Sequence, residues 1–552
     1  MIKSNLRVFL LLFLAGFALY SNVIPGEFLF DDNLFIENNE QIKSLSNIPK
    51  LYYSSVTEGS SVSADNFYRP NQQVVNSLLY YFFGLNPIPF HITSILFHVI
   101  NGFLIFLLFL KLGLNRIPSF CGSLLFIIHP INTQAVSYIS GMADPMGLMF
   151  VLSALHCFIL VCNETGKQNI FWGFIGSIFF FFLGLFTKEN TVVFPALALI
   201  ILIFITYSKE GKFTGNLIRN NKAILLTGIF FLISLVYLYF KFNILNFAGG
   251  IGLSGQDNIY TQNLYIRLIT FINVLPEYFR MIFFPLRLNY EKPYLAFVDF
   301  QRVESIIGLI GIFVWAGLSA YPFFRKNNTK KQYTLTTLAL PFSFVWFIIC
   351  ISPVSGIIPV NAIYLEHWLY FPIIGIIFFF VALFEKRTPF VKNVLLILFV
   401  IFCMGFSART MIRNSEWADG IKFYKNELKY AGNSARMHNN IAMIYAGMQK
   451  CPLAIQHYKK AISLYDVYPQ THHNLGRCYE ALGNTREATQ EYFNALLLYP
   501  GFTYSHKTLF NIFQNEGDTA TATLFYNFIL RIQNGQNINR DEITEVIKNR
   551  KK

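Results

Sequence analysis

Glu27-Phe28-Leu29-Phe30-Asp31-Asp32-Asn33 follows directly on an apolar run, Val8 to Ile24, that opens behind Lys3 and Arg7. Two adjacent carboxylates among aromatic residues thus stand at the end of a hydrophobic segment. Charges at a membrane boundary are costly unless they are solvated, paired or used. A solvated loop start is the plain alternative. The rest of the chain decides between the two.

Of the 552 residues, 54% are hydrophobic and only 13% are charged. A soluble domain carries roughly twice that charge. With 61 Phe and 30 Tyr, the composition is that of a polytopic membrane protein. The net charge of +14 invites a nucleic-acid reading. That reading is excluded, because the basic residues fall in short loops between apolar runs, where they set orientation. Five of the seven cysteines (Cys121, Cys157, Cys162, Cys350, Cys403) lie in apolar runs, and there is no Cys-x-x-Cys pair. Neither zinc nor a disulfide framework is indicated. Cys451 and Cys478, outside the membrane part, read as buried thiols.

The charged start of the first run resembles a signal peptide, but further spans follow, so it reads as a retained signal anchor with its N-terminus cytoplasmic. The next segment, Pro25 to Asn71, is then outside. It holds seven acidic residues against three basic ones. Ten further spans are readable: Phe90–Leu110, Ile117–Ile128, Gly147–Val161, Phe171–Phe186, Thr191–Tyr207, Ala223–Phe240, Ile306–Tyr321, Tyr333–Ile351, Trp368–Phe384 and Val391–Ala408. The inner turns then carry Lys111 and Arg116, Lys167, Lys209 to Lys222, Arg325 to Lys331, and Lys386 to Lys392, in accord with the positive-inside rule. Ile259 to Pro285 resists, with Arg267, Pro276, Glu277 and Arg280 inside it. As a span it would turn the later basic loops outward, so it reads as an interfacial or re-entrant helix on the outer side. Eleven spans place the termini on opposite sides.

After Ala408 the composition turns polar and helical, with a period of 34 residues. Ile441, Leu475 and Leu509 share it, as do Tyr445, Tyr479 and Phe513; Ala454, Ala488 and Ala522; and Tyr458, Tyr492 and Tyr526. This is the tetratricopeptide pattern. Trp417 to Tyr424 reads as the second helix of an earlier, incomplete repeat. Such arrays make concave binding surfaces. The tail after Asn534 is polar and basic and reads as frayed.

Polar residues from distant segments fall on the outer face: Asp31, Asp32, Arg69, His129, Gln134, Asp144, Lys188, Glu189, Arg280, Glu291, Glu366 and His367. Each has a plain structural reading. A His before Pro commonly caps a helix, Lys188-Glu189 is a self-neutralising pair, and Arg280 could snorkel. Together they supply what sugar transfer from a lipid phosphate needs: a carboxylate to take the acceptor's proton and cations to hold the departing phosphate.

The chain resembles the transmembrane and tetratricopeptide-repeat protein O-mannosyltransferases and their bacterial relatives. Five stretches carry the resemblance: Phe30-Asp31-Asp32 with Ile36 and Asn38; Tyr68-Arg69-Pro70 leading to Leu85-Asn86-Pro87, His91, His98 and Asn101; His129-Pro130-Ile131-Asn132-Thr133-Gln134 through Asp144; Lys188-Glu189 before Pro195; and Pro353-Val354-Ser355 through Glu366-His367-Trp368-Leu369-Tyr370-Phe371-Pro372. Arg267 to Tyr294 looks like the family's middle signature, with Glu291 at its acidic position. The order of the stretches is more telling than any one of them. The resemblance implies the GT-C fold and places Asp31 and Asp32 as the catalytic pair; distance from the span leans toward Asp32 as base. Arg69, Lys188, Arg280 and His367 are the implied phosphate partners, with His129, Asp144, Glu189, Glu291 and Glu366 as further substrate-binding candidates. Met142 and His367 stand where relatives commonly have Arg, which points to altered donor contacts.

The expected architecture is all-α: a GT-C-like membrane domain over 1–408, with an outer loop 25–89 and an outer or interfacial segment 242–303, then repeats over 409–534 and a tail over 535–552. The expected activity is transfer of a hexose, mannose first, from a polyprenyl-phosphate donor to Ser or Thr of exported proteins, with inversion, and with acceptors held by the repeats. A divalent cation bridging the acidic pair and the phosphate is compatible with this, though the two Asp are its only visible ligands. The expected membrane is the bacterial inner one, on the short repeat array, or the endoplasmic reticulum in a eukaryote. A non-catalytic scaffold anchored by its spans is the rival from another class; eleven spans exceed what an anchor needs. A transporter would place its ionisable residues mid-span, whereas these sit at outer ends.

Overall fold

The computed structural model describes residues 2–60, 67–163, 166–210, 221–247, 260, 263–290, 303–324, 335–358, 360, 362–385 and 387–550. Every regular element within them is helical. The chain forms two compact units, the first ending at Asp419 and the second beginning at Gly420.

In the first unit the main helices are α1 (Ile2–Tyr20), α2 (Pro70–Phe83), α3 (Pro87–Lys111), α4 (Arg116–Ile128), α5 (Ala143–Cys162), α6 (Lys167–Leu185), α7 (Phe194–Glu210), α8 (Asn221–Tyr239), α9 (Leu264–Phe283), α10 (Val303–Phe324), α11 (Leu335–Ile351), α12 (Ile373–Ala382) and α13 (Pro389–Trp417). Among the described residues nine helical segments are long and apolar enough to cross a membrane, built on α1, α3, α5, α6, α7, α8, α10, α11 and α13. The shorter apolar helices α4 and α12 complete the eleven expected segments. The chain is thus a multi-pass membrane protein. α9 has 20 residues yet is not among the nine. Its Ile269, Asn273, Val274 and Tyr278 are buried, while Leu264, Tyr265 and Leu268 are exposed.

Between α4 and α5 the chain breaks into short turns, Pro130–Asn132, Thr133–Ser137 and Ile139–Met142. Every residue from 126 to 148 is buried. Such backbone survives at membrane depth only inside protein or along a polar cavity. Here its polar groups are largely tied down: Asn132 Nδ2 donates to Phe126 O at 2.7 Å and Thr133 Oγ1 to Pro130 O at 2.7 Å.

The end of α13 closes over this segment. Thr410 Oγ1 donates to Ile128 O at 2.7 Å, and Ser137 Oγ to Asn414 Oδ1 at 2.7 Å. Trp417 stacks on Tyr138 with ring centroids 5.2 Å apart. Trp417 therefore belongs to the membrane unit rather than to a preceding repeat, and the packed unit runs past Ala408 to Asp419.

The second unit contains α14 (Gly420–Tyr430), α15 (Ala435–Gly447), α16 (Cys451–Leu464), α17 (Pro469–Ala481), α18 (Thr485–Leu498), α19 (Thr503–Asn515), α20 (Thr519–Gln533) and α21 (Arg540–Arg550). Three helical hairpins carry the 34-residue period. Ile441, Leu475, Leu509, Ala454, Ala488, Ala522, Tyr458 and Tyr492 are buried, and Tyr526, the last of its column, is exposed. Cys451 and Cys478 are buried free thiols. The tail does not fray: α21 buries Ile543 and Val546 in the cluster that holds Phe513 and Phe525.

A fifth column is polar. His438, His472 and His506 also recur every 34 residues. Each sets Nε2 against a group six residues back: Gly432 O at 3.1 Å, Asp466 Oδ1 at 2.8 Å and Pro500 O at 2.6 Å. Each turns its ring to the residue 19 ahead on the partner helix. Those are His457 (Nδ1 to Nδ1 2.9 Å), Glu491 (2.6 Å) and Phe525 (centroids 5.6 Å). One imidazole per repeat thereby fastens the incoming loop to both helices.

Candidate functional site

The acidic pair sits on strained backbone. Phe30 has φ +58°, a conformation costing a bulky residue about 1–3 kcal/mol and characteristic of functional sites. A π-helical turn, Asn33–Glu37, follows directly. The strain gives the two carboxylates different surroundings.

Asp32 is 1% exposed. Its Oδ2 accepts from Leu29 N at 2.9 Å, and its Oδ1 accepts from Ser140 N at 2.7 Å and from Ser140 Oγ. Burial lifts its carboxyl to about 7 against these hydrogen bonds. That value would suit a general base, but geometry comes before pKa. Both oxygens are occupied by the protein. Asp31 is half-buried. Its N donates to Tyr138 Oη at 3.1 Å, and the Tyr138 hydroxyl is also hydrogen-bonded to its carboxylate. The pair thus divides into one carboxylate that pins the loop to Ser140 and one presented beside a phenol. Among the described residues, no group of three or more His, Cys, Asp or Glu is placed to hold a metal ion.

Four residues beyond Ser140, Asp144 opens an ionic cluster. Lys188 Nζ lies 2.9 Å from Asp144 Oδ2, and His367 Nε2 lies 4.0 Å from the same oxygen. Gly147 permits this approach: a Cβ there would lie 3.2 Å from Lys188 Cβ. The other Asp144 oxygen has no hydrogen-bond partner. Glu189 receives Arg69 Nε at 3.2 Å, Lys241 Nζ at 3.6 Å and Tyr68 N at 3.4 Å. Arg69 is also close enough to act electrostatically on both Asp144 and Lys188. Burial, with Lys188 and Arg69 nearby, holds the His367 imidazole well below its ordinary 6.5, so it is neutral. Three cations therefore face two carboxylates, leaving one positive charge over. Buried ions need partners, and each of these has one.

The segment 129–144 joins the parts. Ser140 holds Asp32, Tyr138 holds Asp31, Asp144 holds Lys188, and Gln134 Oε1 accepts from His367 N at 2.9 Å. Ser140 O in turn accepts from Gln72 Nε2 at 2.9 Å, on the helix that Arg69 begins.

Other expected residues lie apart. His129 caps its own turn, with Nδ1 accepting from Ile131 N at 3.2 Å and Nε2 set against Ile282 O at 2.9 Å. Arg280 pairs with Glu277 at 2.6 Å and donates to Arg287 O at 2.7 Å. Glu366 forms a buried pair with Arg413 at 3.3 Å, and Arg413 also meets Glu416 at 2.7 Å. Glu291 lies outside the described residues. The sequence reading passed over Lys241, Tyr138, Ser140 and Arg413. Lys241 closes an apolar run and looks like an interfacial flank. Its place in a second π-helical turn, Phe240–Ile244, is visible only in the fold.

Residues 433–499 match the tetratricopeptide repeat model. The chain is 24% identical over 489 residues to the human protein O-mannosyl-transferase TMTC3, covering 84% of this chain and 52% of that protein. It is 23% identical to human TMTC2, covering 81% and 61% respectively. The Caenorhabditis elegans protein O-mannosyl-transferase F38B6.6 is also 23% identical, covering 85% and 64%. The chain is similar to these protein O-mannosyl-transferases. It spans between half and two thirds of their length. The similarity extends across both units and supports the resemblance carried by the five stretches.

Proposed function

We propose that this chain is a membrane glycosyltransferase. It takes a hexose, mannose first, from a polyprenyl-phosphate donor and passes it to a Ser or Thr hydroxyl of an exported protein. The observation that carries this is the 129–144 segment, which holds an acidic pair on one side and a net-positive ionic cluster on the other.

Asp31 is the base. Its carboxylate takes the acceptor hydroxyl's proton while the oxygen attacks C1 of the hexose. The bond from C1 to the phosphate oxygen breaks on the opposite face, so the configuration inverts and polyprenyl phosphate leaves. The phosphodiester carries one negative charge, matching the spare positive charge of the cluster, and the departing phosphate gains another. Arg69, Lys188 and Lys241 stabilise that developing charge. Asp32 positions the loop. This reverses the lean toward Asp32, because its oxygens are committed to Leu29 and Ser140.

The repeats hold the acceptor. The site faces the periplasm in a bacterium or the lumen of the endoplasmic reticulum in a eukaryote, with α9 lying along the outer interface. Mass spectrometry of exported proteins from cells with and without the gene tests the reading. Loss of hexose from Ser or Thr is expected, and an unchanged glycan profile would sink it.

A further inference from the structure

We propose that the first two turns of α2 are the subsite for the hydroxyls of the donor hexose, a proposal that rests on the function above. Gln72, Gln73, Asn76 and Ser77 occupy positions i, i+1, i+4 and i+5, one face of the helix. None is more than 2% exposed. Gln72 Nε2 reaches Ser140 O. Its Oε1, both polar atoms of Gln73, both of Asn76, and Ser77 Oγ have no hydrogen-bond partner in the protein. A buried polar group left unsatisfied bears the full cost of its desolvation, and buried polar atoms are as a rule paired. Six unpaired atoms on one face of one helix depart from that rule together.

Their chemistry names the ligand. The face has no charged side chain, only amides and a hydroxyl, each offering both donors and acceptors. A neutral polyol matches that set. A phosphate does not, and it has the cations nearby. Their position agrees. α2 opens at Arg69, inside the ionic cluster, and Gln72 ends on Ser140, which holds Asp32. The face therefore starts beside both the groups assigned to the leaving phosphate and the segment that holds the acidic pair, and extends along α2 to Ser77. A sugar ring whose C1 meets both groups would lay its hydroxyls along it.

The test uses the full chain in lipid nanodiscs, with polyprenyl-phosphate mannose, polyprenyl-phosphate glucose and sugar-free polyprenyl phosphate as probes. Gln73→Leu and Asn76→Leu preserve bulk and remove the polar atoms. Each is expected to weaken binding of the hexose lipid that the parent prefers by roughly 2–10-fold. Binding of sugar-free polyprenyl phosphate should stay unchanged. The thermal midpoint should rise, because an unsatisfied buried group has been removed. Stability gained and sugar recognition lost together would not follow from a merely structural role. If both variants keep the parent's difference between sugared and sugar-free lipid, the face serves only water and the inference falls. A lowered midpoint with equal loss of both lipids overturns it as well. A parent that transfers no hexose sinks the proposed function and this subsite with it. A parent that transfers, alongside variants that discriminate as it does, sinks the subsite alone.

Discussion

Adjacent carboxylates of one loop have been assigned unlike duties, and substitution separates them. Asp31→Asn keeps the size and most of the hydrogen bonding but cannot take a proton. Turnover should fall at least ~10²-fold, with the melting temperature near the parent's. Asp32→Asn instead turns an amide N–H toward Leu29 N, donor against donor. It should cost about 1–3 kcal/mol of stability and lower the melting temperature. An Asp32→Asn protein that melts like the parent yet loses more turnover than Asp31→Asn would exchange the two roles. Lys241 offers an independent check on the cluster. Lys241→Met removes one of the cations around Glu189. The kcat/KM for the hexose lipid should drop roughly 10–100-fold, the worth of one charge-assisted interaction at a developing charge. Unaltered donor kinetics would remove Lys241 from the site.

Within the repeats the histidine column makes a prediction with a sign. Burial lowers the His472 imidazole, but Glu491 and Asp466 outweigh it and the net shift is upward from 6.5. Stability from a raised histidine is complete below 6.5 and is lost as pH rises through the raised value. His438, His457 and His506 are lowered, each chiefly by burial. Their contribution is present above 6.5 and is lost as pH falls below it. Hydrogen exchange of the full chain on either side of 6.5 should therefore show α15 and α19 better protected on the alkaline side. α17 carries both His472 and its neighbour His473, lowered to about 4 chiefly by burial, so the two oppose each other there. His472→Gln should shift α17 toward alkaline-side protection; an unchanged pH response would remove His472 from it. The 34-residue spacing of these histidines was open to inspection in the sequence. Polar residues in a repeat do not announce packing as Ile441 or Ala454 do. The apolar spans and the repeat columns were legible because hydrophobic length and period are local properties. The ionic cluster was legible only in part, since Arg69 and Glu189 meet across 120 residues, and no local pattern separates Lys241 from an interfacial lysine.

For the molecule as a whole, the boundary between membrane unit and repeats decides how the division of labour can be tested. The change of composition after Ala408 suggests cutting there. The packing argues otherwise, because α13 runs on to Trp417 and its last two turns belong to the site's surroundings. Thr410 ties to Ile128, Arg413 to Glu366, Asn414 to Ser137, and Trp417 lies on the Tyr138 ring that holds Asp31. Removing Arg413 alone would break a fully buried ion pair with Glu366, a change that typically costs about 3–5 kcal/mol. Truncation after Ala408 should therefore destroy transfer to every acceptor, through damage to the site. Truncation after Asp419 retains all four contacts. It should still transfer hexose to a small hydroxyl acceptor at a rate near the parent's, while modification of the protein acceptor is lost. Transfer to both acceptor classes, followed in stably inserted truncations, distinguishes the outcomes. Loss of small-acceptor transfer in the Asp419 truncation would mean that the repeats take part in the chemistry itself. Full transfer in the Ala408 truncation would mean that the end of α13 does not hold Tyr138 and Asp31 in place.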